Sequence, residues 1–481
     1  MNFHIIRRII GLIMAVEAVV MTPALLISAV QGERYAVLGF VAAICLLLAL
    51  GLPLAVWKPK RKGYYAREGF VTVGLSWITV SLFGALPFCI SGAIPNFVDA
   101  FFETVSGFTT TGASIVVDVE ALPLGLLYWR SFTQWLGGMG VLVFLLAASP
   151  LFKGTGESLY LLRAESPGVN VAKLVPRTHR SALILYKIYI ALTLLQMLIL
   201  LFDGLPLFDS LTIAMATAGT GGFSIKNDGL ASYSMSAQNI IAVFMVLFSL
   251  NFAMLYLLLL RQFKRVFRNE ELRLYLGVLL AATVLIAINI QSLFASAGGA
   301  LQNAFFTVAS IMSSTGFVTA DFDLWPQVSR SVLLLLMIMG ACAGSTGGGA
   351  KVIRILILIK SAIRSVRREL HPRAVQLVHI DGEPLSDAAA DGVNAYMIIY
   401  CLLTAVFTLV LSLEGFDFET TFTSVLTCMN NTGPGMNLSG PTVNFAGFSH
   451  FGKLLLSAVM LFGRLELFPM LMLMVPSAWQ K

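Results

Sequence analysis

The sequence predicts an all-α integral membrane protein: four repeats of helix, half-helix and helix around one axis with pseudo-fourfold symmetry, after an N-terminal helix pair. Three observations predict it. Only 12% of the 481 residues are charged and 57% are hydrophobic, with a mean hydropathy of +0.85, whereas a soluble globular chain carries about 25% charged residues. The charges are clustered, and the apolar stretches between them are long enough to cross a hydrocarbon core of ~30 Å, which takes about 20 helical residues. The connections on one side of these stretches also share a glycine-terminated segment that is too apolar for an ordinary loop.

The apolar stretches run near 5–30, 36–57, 69–91, 124–148, 183–202, 237–260, 272–296, 328–360, 392–413 and 451–476, which makes ten expected crossings. They are helices rather than barrel strands, because they are long and evenly apolar and lipid offers no partner for free backbone groups. The first has no small-residue cleavage site and is followed at once by another span, so it reads as a retained helix rather than a signal peptide. Four loops are basic: one with Lys58, Lys60, Arg61, Lys62 and Arg67, one with Lys153, Arg163, Lys173, Arg177 and Arg180, one with Arg261, Lys264, Arg265, Arg268 and Arg273, and one with Lys360, Arg364, Arg367, Arg368 and Arg373. They alternate with loops bearing mostly Asp and Glu, so the positive-inside bias places them, and both termini, in the cytoplasm. The net charge of +7 therefore reflects topology. It argues against nucleic acid, which needs the basic residues on one soluble face, and suits anionic lipid or a cytosolic partner. The five cysteines and five histidines are dispersed, without metal-ligand spacing or a disulfide framework.

Four connections on the opposite side align without gaps over fourteen residues: Asp99–Gly112 (DAFFETVSGFTTTG), Asp209–Gly222 (DSLTIAMATAGTGG), Asn303–Gly316 (NAFFTVASIMSSTG) and Thr420–Gly433 (TTFTSVLTCMNNTG). Each opens on Asp, Asn or Thr, residue types that cap helix starts. Each continues as a helix of about three turns, too short to span, and closes on a glycine preceded by Thr111, Gly221, Thr315 or Thr432, with Thr220 one place earlier in the second copy. The glycines recur roughly every hundred residues. Repeats divide the chain into an N-terminal two-helix segment (1–66) and four pore repeats, 67–180, 181–268, 269–385 and 386–481, so one chain would supply all four walls of a pore.

The pattern suits cations. A half-helix entering from outside aims its C-terminal carbonyls, with roughly half a negative charge, at the membrane centre. The segment that follows must present backbone carbonyls, which requires a residue free of Cβ constraints, and neighbouring hydroxyls add acceptors. Rings of carbonyls that replace a hydration shell are how potassium-selective filters are built. Glycine is also common after any helix C-terminus, but four copies in one register, each between two spans, exceed that explanation.

The segments FTTTGAS (108–114), TAGTGGFS (217–224), SSTGFVTAD (313–321) and NNTGPG (430–435), in this order over nearly the whole chain, resemble the Trk/Ktr/HKT superfamily of potassium transporters, and the extra helix pair resembles its TrkH/TrkG-type pore subunits. The resemblance implies a potassium filter at Gly112, Gly222, Gly316 and Gly433 with the adjoining Thr110, Thr111, Thr220, Gly221, Ser314, Thr315, Asn431 and Thr432. Sodium-preferring plant relatives carry serine at the first glycine position, so glycine at all four favours potassium. The resemblance further implies the bacterial inner membrane, a homodimer with one pore per subunit, and a cytosolic ring of nucleotide-binding TrkA-type subunits. No phosphate-binding GxGxxG or Walker motif is found here, so no cofactor is expected in this chain beyond K+ as the transported ion, and nucleotide control would reside in such a partner.

Two features lie beside this repeat. Residues 340–351 place five glycines in an apolar span, each costing roughly 1 kcal/mol in a helix interior. This predicts an irregular intramembrane segment, and the resemblance makes Gly344, Ser345, Thr346, Gly347, Gly348 and Gly349 a pore-obstructing gate. Close helix packing through small residues is the alternative. Arg464 stands in the last apolar span, where a charge faces a cavity or a partner. By resemblance it projects below the filter and meets the 340–350 loop, and the alternative is a structural ion pair within the bundle, for instance with Glu466 of a neighbouring subunit. Lys351 is a further gate residue unless it extends to the interface. Asp99, Glu103, Asp118 and Glu120 are placed to gather cations at the mouth or to act as solvated caps. Parallel repeats and a backbone-rich filter favour a gated conduit over a potassium symporter coupled to protons or sodium, whose repeats are usually inverted. No nucleophile–base or metal constellation points to an enzyme.

Overall fold

The computed structural model describes residues 1–56, 66–140, 178–371 and 376–479. Most of the first two basic loops, Arg373 and the end of the 124–148 stretch lie outside them. The N-terminal pair comprises α1 (Phe3–Val20), α2 (Thr22–Val30) and α3 (Arg34–Val56). The first crossing is interrupted at Met21 because Pro23, in the first turn of α2, has no amide hydrogen to continue the ladder. Repeat 1 holds α4 (Ala66–Gly84), α5 (Leu86–Ile90), α6 (Phe97–Phe108) and α7 (Leu124–Gly138). Repeat 2 holds α8 (Thr178–Phe202), α9 (Leu207–Gly219), α10 (Met235–Ser249), α11 (Phe252–Leu259) and α12 (Phe263–Arg268). Repeat 3 holds α13 (Glu270–Ile290), α14 (Ala297–Met312), α15 (Gln327–Met339), α16 (Val352–Leu370) and a hairpin of β1 (His379–Ile380) and β2 (Glu383–Pro384). Repeat 4 holds α17 (Asp387–Leu411), α18 (Phe418–Asn430), α19 (His450–Arg464), α20 (Phe468–Met474) and α21 (Pro476–Trp479).

The short helices α6, α9, α14 and α18 are the half-helices. Their starts differ from the sequence expectation. Asp99, Asp209 and Thr420 sit in the first turn and Asn303 sits mid-helix, bonding the Gly299 carbonyl. The caps are Asn96, Ser296 and Asp417, each accepting from a first-turn amide, whereas α9 starts after Pro206 without a side-chain cap.

The long helices that open the repeats are continuous enough to cross, whereas those that close repeats 2, 3 and 4 are interrupted. Among the described residues six stretches meet the length and hydropathy of a span, and a seventh is the pair α10–α11, bent by 100°. The crossings expected at 237–260, 328–360 and 451–476 are therefore broken helices. The first breaks at Leu250–Asn251, the second at the glycine-rich segment, and the third at Glu466 and Leu467, whose φ values of 52° and 69° are left-handed. Non-helical backbone at this depth is tolerated only when buried in protein or lining a cavity.

Packing closes the repeats into a ring. The helix after each half-helix supports the half-helix of the next repeat: α7 packs on α9, α10 on α14, α15 on α18, and α19 returns to α6. Outside this ring Leu38, Leu194, Leu285, Leu402 and Leu409 remain exposed, an arrangement lipid stabilises and water would oppose at ~25 cal/mol per Å2.

The N-terminal pair is fastened by backbone contact. A Cβ on Gly11 of α1 would lie 2.6 Å from the Gly51 carbonyl of α3. Gly11→Val should therefore separate the two helices and cost about 1–3 kcal/mol by overpacking. The expected readout is a lower midpoint for thermal unfolding in detergent, with Gly11→Ala intermediate, and an unchanged midpoint would contradict this packing.

Candidate ion pathway

The four half-helices end alike. At each C-terminus an amide bonds back across five residues: Thr111 N to Ser106 O, Gly221 N to Ala216 O and Thr315 N to Ser310 O at 2.9 Å, and Thr432 N to Thr427 O at 3.0 Å. The preceding residues, Thr110, Thr220, Ser314 and Asn431, have φ between 51° and 57° and bond back across three residues. This is a Schellman motif, which satisfies carbonyls the helix would leave orphaned, but with Thr, Ser or Asn where glycine is usual. Two residues later Gly112, Gly222, Gly316 and Gly433 are left-handed again, at 82°, 73°, 79° and 97°.

The four glycines meet. A Cβ on Gly112 would overlap the carbonyl oxygen of Gly221, one on Gly222 that of Thr315, and one on Gly316 that of Thr432; one on Gly433 would lie 2.8 Å from the Thr111 oxygen. Each glycine thus abuts the carbonyl just before the glycine of the next repeat, and the sequence of contacts closes on itself. All four glycines line a cavity of about 170 Å3 that also touches Arg130, Lys226 and Asn444. On the opposite side lie the half-helix C-termini, whose partial negative charge favours a cation.

Side chains on neighbouring helices hold these segments. Gln134 of α7 donates from Nε2 to the Gly221 carbonyl at 2.6 Å and accepts from Phe223 N at 3.1 Å. Asn431 Nδ2 donates to Thr111 Oγ1 at 2.9 Å and to Met460 O at 3.0 Å, joining repeat 4 to repeat 1. Arg130 pairs with Glu103 at 2.8 Å and donates to Ser224 O and Ser114 Oγ, while its guanidinium lies 4.2 Å from the Phe223 ring centre. Glu103 is buried and also accepts from Ile115 N at 3.0 Å, so it braces the segment after Gly112 rather than gathering ions. Asp99 pairs with Lys453 at 2.8 Å, and Asp118 and Glu120 accept from Asn227; none of the three lines the cavity. Gln134 and Arg130 had a visible signal, since an amide and a charge within an apolar span require partners.

The glycine-rich segment 340–351 lies directly under this ring. Gly348 N donates to Ser314 Oγ, and a Cβ on Gly348 or Gly347 would meet the carbonyls of Asn430 or Ser313. Its seat is the bend between α10 and α11: Cys342 N donates to Ser249 O at 3.1 Å, Phe252 N to Gly344 O at 3.1 Å, and Thr346 Oγ1 to Phe248 O at 3.1 Å. Ser345 Oγ turns back to Cys342 O at 2.6 Å. Gly340, Gly344 and Gly349 have φ of 67°, 71° and 82°, so the segment is wound through conformations that side chains oppose and is not a packed helix. Lys351 is buried and does not extend to an interface; its Nζ donates to the Gly347 carbonyl.

Arg464 donates here to Gly137 O, to Gly138 O at 2.8 Å, to Thr346 O at 2.8 Å and to Thr110 Oγ1 at 3.1 Å. It therefore connects the α7 end, the glycine-rich loop and the segment that follows the first half-helix. Glu466, two positions on, pairs with Arg354 of the same chain. Among the described residues no three His, Cys, Asp or Glu side chains converge to hold a metal.

Residues 36–481 match the TrkH family model, described as a cation transport protein. The chain belongs to the TrkH family. It is 36% identical over 491 residues to the Trk system potassium uptake protein TrkH of Salmonella typhimurium strain LT2, and 36% identical to that of Escherichia coli strain K12, with 100% of both chains covered in each case. The crystal structure of the potassium transporter TrkH from Vibrio parahaemolyticus superposes with a TM-score of 0.89 at 31% identity, again over 100% of both chains. The helical membrane fold anticipated from composition and periodicity is the fold of this family.

The ring has a direct test. A side chain at Gly112 meets the Gly221 carbonyl in a left-handed conformation, a strain of about 1–3 kcal/mol, and 1.4 kcal/mol is about tenfold in a ratio. Gly112→Ser should reduce discrimination among alkali cations by roughly tenfold in proteoliposome flux. An unchanged permeability ratio would contradict the geometry's role.

Proposed function

We propose that this chain is the conducting subunit of a potassium uptake system of the bacterial inner membrane. The observation that carries the reading is the closed ring in which each of four glycines abuts the carbonyl of the next repeat. Carbonyls at 111, 221, 315 and 432 would replace part of the hydration shell of a potassium ion, with the half-helix C-termini adding favourable potential below. Thr110, Thr220, Ser314 and Asn431 hold the ring from beneath and contribute hydroxyl or amide groups. Glycine at all four positions, rather than serine at the first, favours potassium over sodium, and the relatives named above are potassium uptake proteins.

The segment Gly344–Gly349, with Lys351 and Arg464, acts as the gate. It occupies the axis under the ring, and a guanidinium and an ammonium near one path oppose a cation. Opening requires the loop to leave Ser314 and Arg464 to release Thr346 O. Both termini and the basic loops face the cytoplasm, where a nucleotide-binding TrkA-type ring would dock on a homodimer and drive this change. The relatives' names speak of a Trk system, which supports partners of this kind.

Conduction rather than coupled symport follows from a filter built of backbone carbonyls in repeats of one direction. The test is a current–voltage recording of the reconstituted chain. A conduit gives a reversal potential that moves by about 59 mV per tenfold potassium gradient and ignores a pH gradient, and Arg464→Ala should raise the current. A reversal potential that moves with pH would contradict the conduit and support symport.

A further inference from the structure

Glu271 stands outside the pathway described above. It is buried in the first turn of α13, 72 residues before the loop it touches. One carboxylate oxygen, Oε1, accepts from Ala343 N at 2.7 Å and from Ile353 N at 3.2 Å. These two amides flank the glycine-rich segment, one near its entrance and one just past its exit, in the first turn of α16. A single side-chain atom thus ties together both ends of the loop.

Such closure has a physical consequence. A loop with five glycines in twelve residues has a large conformational entropy when released. Fixing its ends together limits the excursions of the residues between them, and those residues include Thr346, Gly347 and Gly348, which face the ring. Because one carboxyl oxygen accepts both amides, losing it frees the two loop ends together.

The helix end that carries Glu271 is itself held from the β1–β2 hairpin. Asp381, at the exposed hairpin turn with φ 54°, accepts from Glu270 N at 2.7 Å and from Asn269 Nδ2 at 2.8 Å. Asn269 in turn caps α13 by accepting from Leu272 N at 2.8 Å. Lys360 of α16 pairs with Glu270 and donates to His379 O at 2.7 Å. Hairpin, helix start and loop ends form one connected set.

We infer that Glu271 is a positioning residue that latches the intramembrane loop shut, and that the Asp381 turn sets the helix end from which Glu271 acts. The inference rests on the reading of the loop as the gate. Displacing the hairpin moves the start of α13 and loosens both loop ends at once, whereas the filter, held by Gln134, Arg130 and Asn431, is not addressed.

The test uses the full chain in liposomes, with rubidium influx, the potassium-to-sodium permeability ratio and amide hydrogen exchange measured for Glu271→Ala, Glu271→Gln and Asp381→Ala. In Glu271→Ala, amides in 340–353 should exchange about tenfold faster, the factor expected when the hydrogen bonds to Oε1 are lost. Rubidium influx should rise while the cation ratio stays at its original value. Glu271→Gln keeps an oxygen acceptor and should fall between the original chain and Glu271→Ala. Should Glu271→Ala fail to fold, the exposed Asp381→Ala variant carries the test, with faster exchange at both 269–272 and 340–353. Unchanged exchange in 340–353 overturns the latch and leaves the gate reading untouched. Faster exchange with unchanged influx overturns the gate reading, and the latch's functional role with it. A cation ratio that collapses along with the rise in influx also overturns the inference, because Glu271 would then act on the filter.

Discussion

The structure depends on one constraint: four backbone segments must approach one axis closely enough for the carbonyl of each to touch the glycine of its neighbour. A Cβ on Gly112, Gly222 or Gly316 would overlap that oxygen, so the approach is possible only without side chains. It also needs the half-helices to stop abruptly and turn the chain. The left-handed residues Thr110, Thr220, Ser314 and Asn431 make that turn, each a non-glycine residue in a conformation that costs energy unless its surroundings over-determine it. The surroundings do so here through the Schellman bonds and, for Asn431, through donation to Thr111 Oγ1 and Met460 O.

From this constraint the rest of the architecture follows. Backbones that meet at an axis inside a membrane must be covered on their outer side, and the helix closing each repeat supplies that cover for the next. These helices end or bend near the level of the half-helix C-termini, at Gly138, Ser249, Met339 and Arg464. Below that level the repeats cease to be equivalent. Repeat 3 inserts its glycine-rich segment under the ring, repeat 2 bends by 100° to seat it, and repeat 4 supplies Arg464. The pseudo-symmetry belongs to the ring, and the departures from it cluster where the proposed gate lies.

The membrane fold and the four glycine-bearing segments were legible because each leaves a pattern along the chain: apolar length for the spans, and one register repeated four times for the segments. The break at 340–351 was legible from five glycines where a helix would otherwise continue. The break at Leu250–Asn251 was missed: its one local sign is Asn251, which caps α11 by accepting from Ala253 N, within a stretch, LNFAMLYL, otherwise as apolar as the helices around it. Starts of the half-helices were misjudged by several residues, since Asp99, Asp209 and Thr420 look like caps but stand within the first turn. Partnerships were the least legible. Glu103 reads as a mouth carboxylate until Arg130 is found beside it, the Glu466–Arg354 pair joins residues 112 positions apart, and Glu271 gives no local sign of a loop 72 residues away. Pairings of this kind depend on how the repeats close, which no single segment records.

The central claim is that a cation rests among the four carbonyls of Thr111, Gly221, Thr315 and Thr432. Crystals of the chain grown in thallium or rubidium salts test it most directly, by anomalous scattering. The account predicts a peak on the axis, at direct coordinating distance from these four oxygens and lost or weakened in Gly112→Ser. A chain that binds the ion with its only ordered site away from this ring, or that keeps the same peak in the variant, would contradict it.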